Sequence, residues 1–338
     1  MAAPVRAFNI LVLVDVAEPA VSQHDYSYDL TTEEWKNEAH VLKSLTALGH
    51  HPRLLALHDD IAPLLVEVQQ QRPDLVFNMC EGFRGDRRFE ANLPALLELM
   101  GLPYTGAGPE ALALCKDKGL TKKILTYHKV RVPRFQVSTL SRPEKSLDTD
   151  FPFPALVKPL GLEASEGVAE ASLASTETDA LKRCAFIHER YACDAIIEEF
   201  IQGREIYVGV AGNERLTVFR PRELFFDGAD DAGKRMATYH AKWNDRYREK
   251  WGIRTGFAEL TSDQEQRLTA TSKNIYRLLR LRGYARLDFR LTAGGEFVFL
   301  EANPNPTIAK DEDFAASAAG AGVEYGALIQ KIVRLAGN

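Results

Sequence analysis

The chain has 338 residues, 45% of them hydrophobic and 26% charged, with a formal net charge of −5 at pH 7. That length accommodates two or three domains with a sizeable core, and the composition is that of a soluble globular protein. A weakly acidic balance gives no footing for nucleic acid or a membrane surface as the main partner, and no apolar run approaches the ~18 residues of a membrane span.

The opening stretch, Met1–Asp15, holds a short apolar run that reads as a first strand and not as a signal peptide. Cys80, Cys115, Cys184 and Cys193 show no CxxC spacing, which fits free thiols in a reducing, cytoplasmic setting. Asn9–Val14 is a β-branched, buried strand. Thr31-Thr32-Glu33-Glu34 offers a capping box for a helix carrying Trp35, Ala39, Leu42, Leu45 and Leu48, with Gly49 as the stop. Arg53–Leu57 follows as a strand, Ile61–Gln71 as a helix, Asp74–Met79 as a strand and Ala91–Met100 as a helix. This alternation predicts βαβ units around a mostly parallel, Rossmann-like sheet, so residues 1–112 read as one α/β domain.

From Lys116 the pattern changes. Asp117–Tyr127 is helical and Val132–Val137 extended around Pro133. The strand Ala155–Val157 runs into Lys158 and a loop, Pro159–Gly167. A helix near Asp179–Tyr191 and the strand Ala195–Glu199 complete a small α+β unit. Glu205–Ala211 opens another sheet. Phe225–Gly256 is a long polar stretch, and loops of that length are functional lids or disordered segments. Ser262 with Glu265 caps a helix running to Leu281, and Gly322–Ala336 closes the chain as a helix.

Gly283–Thr307 turns this fold signal into chemistry. Gly294-Gly295 reads as a two-residue hairpin turn, since glycine takes φ > 0 at both central positions without strain. That hinge pairs Ala293 with Glu296, sets Asp288 opposite Glu301 and Arg286 opposite Asn303. It puts Leu287, Phe289 and Leu291 with Val298, Leu300 and Ala302 on the core face. Two carboxylates roughly 5 Å apart across a strand pair repel each other. A divalent cation between them relieves the repulsion, and such oxygen donors suit Mg²⁺ held together with phosphates. A solvated charged face is the alternative reading.

Lys158 leads into a loop with Gly161, Ser165 and Gly167, whose exposed amides, hydroxyl and ammonium suit a phosphate; a structural loop is the alternative. Ile197–Ile201 alternates apolar with acidic residues and runs to Glu205. It reads either as an edge strand with solvated acids or as a nucleotide hinge, with backbone groups on adenine and a carboxylate on ribose.

In order and spacing, PYTGAG (Pro103–Gly108), KDKGLTKKIL (Lys116–Leu125), Val157–Pro159, IIEEFIQGREI (Ile196–Ile206) and RLDFR…FLEANPNP resemble the ATP-grasp superfamily, and within it the D-alanine–D-alanine ligases. The resemblance covers nearly the whole chain. It implies a three-domain ATP-grasp architecture, α/β and α+β: residues 1–112, a central lid subdomain at 113–200, and a catalytic subdomain at 201–338 with a mobile loop near 225–256. It also implies ATP and Mg²⁺ as cofactors (two ions, with Mn²⁺ as a substitute), small-molecule acid and amine substrates, and a homodimer.

Residue by residue, the resemblance implies that Lys118 and Lys158 hold ATP phosphates, that Glu198, Glu199, Phe200 and Ile201 surround adenine, and that Glu205 takes the ribose. Asp288, Glu301 and Asn303 match the metal ligands, and Arg286 the arginine beside the transferred phosphoryl. Lys242 matches a lysine of the mobile loop and Ser165 a phosphate-loop serine. The expected activity is activation of a carboxylate as an acyl phosphate, followed by amide formation. A phosphotransferase and a non-catalytic ATP-binding regulator are the alternatives.

The amino-acid pocket departs from the ligase pattern. Asp15–Ala20 lacks the glycines of that segment, and Glu81 stands where a histidine precedes glycine. Glu163-Ala164-Ser165 replaces Gly-Ser-Ser, Trp243 follows Lys242 in place of tyrosine, and Thr307 replaces a glycine. Lys310 becomes a candidate for a substrate carboxylate, with a plain surface lysine as the alternative, while Glu81, Glu163 and Asp311–Asp313 read either as partners for an amine or guanidinium or as solvated acids on loop tips. These changes imply that D-alanine is neither substrate.

Overall fold

The structure, a computed structural model, describes residues 6–18, 25–162, 167–227 and 245–336. Three sheets organise it. In the first, β1 (Asn9–Asp15), β2 (His51–Leu57) and β3 (Leu75–Asn78) run parallel in the order β2-β1-β3. Both faces are covered, as a parallel sheet requires. Helix α1 (Lys36–Ala47) and the C-terminal helix Tyr325–Ala336 pack on Ile10, Val12 and Val14. Helices α2 (Ala62–Gln70) and α3 (Asn92–Leu99) pack on Leu11 and Leu13.

The second sheet is antiparallel, in the order β4-β7-β5-β6, from β4 (Phe135–Ser138), β5 (Ala155–Pro159), β6 (Leu173–Ala174) and β7 (Ala195–Glu199). Helix α6 (Glu177–Tyr191) buries Ala155, Val157, Ala195 and Ile197. Strand alternation therefore sends Lys158 and Glu198 to the opposite face. The edge-strand reading of Ile197–Ile201 is overturned: β7 lies between two partners and Glu198 is buried.

The third sheet runs β11-β10-β8-β12-β13, with β9 also on β8. Its strands are β8 (Arg204–Ala211), β9 (Thr217–Val218), β10 (Arg222–Phe226), β11 (Ile253–Phe257), β12 (Tyr284–Leu291) and β13 (Phe297–Pro304). One face buries Ile206, Val208, Leu287, Phe289 and Phe299 against α4 (Pro109–Lys116) and the helix Ser262–Leu278. Helix α5 (Lys118–Tyr127) packs beside them through Leu125.

Several expectations change. The Thr31 and Thr32 hydroxyls donate back to the carbonyls of Tyr28 and Asp29, at 2.6 and 2.8 Å, inside and just after a short 3₁₀ turn. They cap nothing, and α1 begins at Lys36 without a side-chain cap. The helix beginning at Ser262 has its capping box one residue earlier, on Thr261 and Gln264. Helix α4 starts on Pro109 at its first turn, a start signal the sequence analysis passed over. The polar stretch Phe225–Gly256 is not one loop, because its ends belong to the paired strands β10 and β11 and Asp245–Lys250 is helical.

The hairpin of β12 and β13 differs in a way that matters. Gly295 donates to the Thr292 carbonyl at 2.9 Å and only Gly295 of the two glycines has positive φ, +79°. The turn is therefore a three-residue loop, which shifts the pairing near it to Phe289↔Phe299 and Leu291↔Phe297. A β-bulge between Asp288 and Phe289 takes up the extra residue, Leu300. Asp288↔Glu301 and Arg286↔Asn303 are thereby in the expected register, while Phe297 and Phe299 replace Val298 and Leu300 on the core face.

The PYTGAG segment docks at the foot of this hairpin. Ala107 N–H donates to Asn305 Oδ1 at 2.8 Å. A Cβ on Gly106 (φ +92°) would meet that same oxygen at 2.3 Å, so a glycine is needed for the contact.

Candidate active site

Alternation along β8, β12 and β13 places the polar residues of the third sheet on the face opposite its core. Across the ladders, Arg290 lies opposite Glu205 and Asp288 opposite Tyr207. Within β12, Arg286 grips Asp288 through two bonds, Nε to Oδ1 at 2.8 Å and a terminal nitrogen to Oδ2 at 3.0 Å. Asn303 Nδ2 donates to the same Oδ2 at 3.1 Å. Burial acts against the Arg286 charge, but Asp288 outweighs it and holds the guanidinium well above its ordinary range. The repulsion expected between Asp288 and Glu301 is thus already screened by protein cations: Arg286 on Asp288, and Lys158 at 3.9 Å from Glu301.

Do these residues fit a divalent ion? Two carboxylates and a side-chain amide share one sheet face at adjacent register positions, and all three offer the hard oxygen donors that Mg²⁺ prefers. They fit. Among the described residues no group of three or more His, Cys, Asp or Glu side chains gathers to hold a metal, so substrate phosphates would have to complete the coordination shell.

Glu205 is buried on that face. Tyr207 Oη donates to its Oε1 at 2.9 Å, and Arg290 pairs with its Oε2 at 2.6 Å while also donating to the Gly203 carbonyl at 2.8 Å. Burial, reinforced by Glu205, pushes the Tyr207 phenol well above its ordinary value, so it remains a neutral donor. Arg286 also lies over the Tyr207 ring, 5.0 Å from its centroid.

The second sheet faces this array with a row of charge. Lys158 lies 2.9 Å from one Glu198 oxygen, and Lys122 of α5 lies 2.9 Å from the other. Burial alone would raise the Glu198 carboxyl, but the two ammoniums together leave it below its ordinary value. Lys118 donates to the Leu160 and Leu162 carbonyls, at 3.3 and 2.5 Å, which ties α5 to the loop after β5. Glu199 turns away and accepts from Arg131 at 3.1 Å and from the Arg134 N–H at 3.0 Å. Phe200 lies under Arg290, 5.8 Å from its guanidinium, and Ile201 is buried.

The candidates for the substrate end stand apart. Glu81 pairs with Arg87 at 2.7 Å while its N–H donates to Asp15 at 2.8 Å. Thr307 and Lys310 are exposed, and Lys310 N–H donates to His40 at 3.1 Å. Asp311 and Glu312 meet Lys36 at 3.3 and 3.4 Å, and Asp313 meets Arg222 at 3.1 Å. The amine and guanidinium sought for this acidic run are, in part, the chain's own. Glu163, Ser165, Lys242 and Trp243 lie outside the described residues.

Sequence reasoning missed Lys122, Tyr207, Arg290 and Arg222. Tyr207 and Arg290 could have been found, since period-two alternation from Glu205 and Asp288 reaches them. Lys122 could not, because it is four residues beyond Lys118 on a lysine-rich helix and only packing distinguishes it from a solvated lysine.

The layout is that of a nucleotide-dependent enzyme of the ATP-grasp type: one sheet turns a lysine toward a second sheet that carries paired carboxylates. A family model described as "D-ala D-ala ligase C-terminus" matches residues 114–334. A D-alanine–D-alanine ligase of Zymomonas mobilis is 30% identical over 87% of this chain and 86% of its own length. An uncharacterised protein of Sinorhizobium fredii is 33% identical over 78% of this chain and 74% of its own. A solved structure of Bacillus anthracis D-alanine–D-alanine ligase complexed with ATP superposes with a TM-score of 0.73, at 19% identity, covering 98% of this chain and 97% of that one. The chain belongs to the D-alanine–D-alanine ligase-like family of ATP-grasp proteins.

Proposed function

We propose that the protein is an ADP-forming, ATP-dependent ligase that joins a small carboxylic acid to an amine. The observation that carries the proposal is the array of Arg286, Asp288, Glu301 and Asn303 on one sheet face, with Lys158 3.9 Å from Glu301. A site that only bound nucleotide would have little use for a half-buried guanidinium locked beside the proposed metal carboxylates.

In this reading Lys118 and Lys158 neutralise the ATP phosphates, Glu205 takes the ribose hydroxyls, and the backbone of Glu198–Ile201 reads adenine. Asp288, Glu301 and Asn303 would hold Mg²⁺, which screens charge between phosphates and carboxylate. A substrate carboxylate oxygen attacks the γ-phosphorus, and the bond to the ADP oxygen breaks. Arg286, held by Asp288, stabilises the charge that develops on the transferred phosphoryl. The amine nitrogen then attacks the acyl carbon, phosphate leaves and the nitrogen loses a proton, giving an amide. Ser165 and Lys242 belong to the same proposal, as phosphate-loop and mobile-loop contacts. Glu81, Glu163, Trp243, Thr307 and Lys310 are proposed to shape a pocket for substrates other than D-alanine. A homodimer in a reducing cytoplasm completes the reading. Among the described residues no helix is long and apolar enough to cross a membrane, and none of the four cysteines is in a disulfide.

The test is ADP release with MgATP across L-, D- and β-amino acids and simple amines, singly and in pairs, with products weighed by mass spectrometry. The expected result is pair-dependent ADP with a product equal to acid plus amine minus water. A stable phosphorylated acid formed without any amine would overturn the ligase reading, as would MgATP binding with no turnover on any pair.

A further inference from the structure

Lys122 is fully buried, and nothing in the proposed chemistry employs it. A lysine in that position loses its hydration and must be held by specific partners. Its ammonium pairs with Glu198 of β7 at 2.9 Å and also donates to the carbonyl of Leu300. Leu300 is the extra residue of the β-bulge in β13, which leaves it outside the Cα pairing of β12 with β13. Glu301, proposed as a metal ligand, is the next residue.

From Glu198 the charges continue to Lys158 at 2.9 Å, and from Lys158 to Glu301 at 3.9 Å. Through the Leu300–Glu301 peptide the path returns to Lys122. Two lysines and two glutamates thus form a closed, charge-balanced ring across α5, the lid sheet and the catalytic sheet. Lys122 is its one cation that reaches both sheets while remaining distant from the phosphates in the proposed chemistry. When Lys158 turns to phosphate and Glu301 to a metal ion, Glu198 stays buried with Lys122 as its counter-charge. Burial, with Lys158 adding to it, holds the Lys122 ammonium below its ordinary range, so its charge depends on Glu198.

We propose that Lys122 is a positioning residue for MgATP: it fixes the Leu300 bulge, and with it Glu301, and it occupies Glu198 so that Lys158 is available to phosphate. This rests on the ATP-binding part of the function proposed above. Lys122→Met would leave Lys158 as the one strong partner of Glu198 and would release the bulge. The double variant Lys122→Met/Glu198→Met removes the buried acid as well, and Lys122→Arg retains the charge.

The experiment is calorimetric titration of the full chain with ATP at fixed Mg²⁺, and with Mg²⁺ at fixed ATP, alongside melting curves without ligand. We expect Lys122→Met to weaken both titrations by roughly tenfold or more, in the range found for residues that orient ligating groups. Lys122→Arg should restore part of the loss, and the double variant should bind ATP better than Lys122→Met alone. If Lys122→Met does not fold, the double variant carries the test, since apolar replacement of a whole buried pair is tolerated. It should then bind ATP with Mg²⁺ affinity still weakened, because the bulge remains unpinned. A folded Lys122→Met, or a folded double variant, with a lower melting temperature and both titrations unchanged would reduce Lys122 to a structural role and overturn the inference. Wild-type protein that binds no MgATP would instead sink the nucleotide reading, and this inference with it.

Discussion

Glu198 and Glu38 are both carboxylates turned inward, and their acidities move in opposite directions. Burial penalises each. At Glu198 two lysines outweigh the penalty and the carboxyl falls below its ordinary value of 4.5. At Glu38, beside the end of the parallel sheet, burial dominates, Glu81 and Asp15 add repulsion, and the carboxyl rises above 4.5. The same contrast runs through the whole site. The proposed nucleotide end is made of strand residues locked by partners on the same or a neighbouring strand, such as Arg286 on Asp288 and Arg290 on Glu205. The proposed substrate end is made of exposed loop residues such as Lys310 and Glu81, with Glu38, Glu81 and Asp15 gathered around the end of β1. A strand ladder fixes side-chain direction every second residue, whereas a loop can be rewritten without disturbing the fold.

The sharpest way to break this comparison is Arg286→Met. If the locked end carries the chemistry, ADP release at saturating substrate should fall by about 100- to 1,000-fold, the usual cost of removing a preorganised donor to a developing charge. A variant that keeps most of its rate would move the chemistry elsewhere. Lys158→Met should weaken MgATP binding by about 10- to 100-fold, as loss of a charge-assisted contact does, read by titration. Gly106→Ala tests the joint between the two ends. With φ at +92° and Asn305 Oδ1 at 2.3 Å from the added carbon, it should cost about 1–3 kcal/mol in urea unfolding.

The pH dependence divides the two ends more finely. A lowered native value means that Glu198 contributes stability above the unfolded value of 4.5, lost as pH falls through the native value. Glu198→Gln should therefore destabilise the protein at pH 7 and steadily less under acid. A raised native value gives Glu38 the opposite sign: its cost appears as pH rises from 4.5 through the native value and is complete above it. Glu38→Gln should raise the melting temperature at pH 7 by about 1–2 °C and leave it unchanged well below 4.5. The smallest effect belongs to Lys310→Ala, with stability within about 0.5 kcal/mol of wild type and MgATP titrations unaltered. Its consequences, if the substrate proposal is right, appear in the KM of the acid or the amine.

Sequence alone determined what period and spacing encode. Alternation of apolar runs gave the parallel sheet, and counting from the hairpin set Asp288 opposite Glu301 and Arg286 opposite Asn303, as the ladder has them. That count assumed a two-residue turn. The register came out right because a bulge at Leu300 compensates for a three-residue loop, and neither feature has a local signature beyond two adjacent glycines. Tertiary structure decided which charges are buried. Lys122 and Lys123 are neighbours on one helix, yet only Lys122 turns inward, to Glu198 and Leu300. Glu198 and Glu199 are adjacent on β7, and one joins two lysines in a charge ring while the other binds Arg131 at the rim. The pairing of a charge depends on elements distant in sequence and close in space, and the energy of burying it is set by those partners and not by the residue itself.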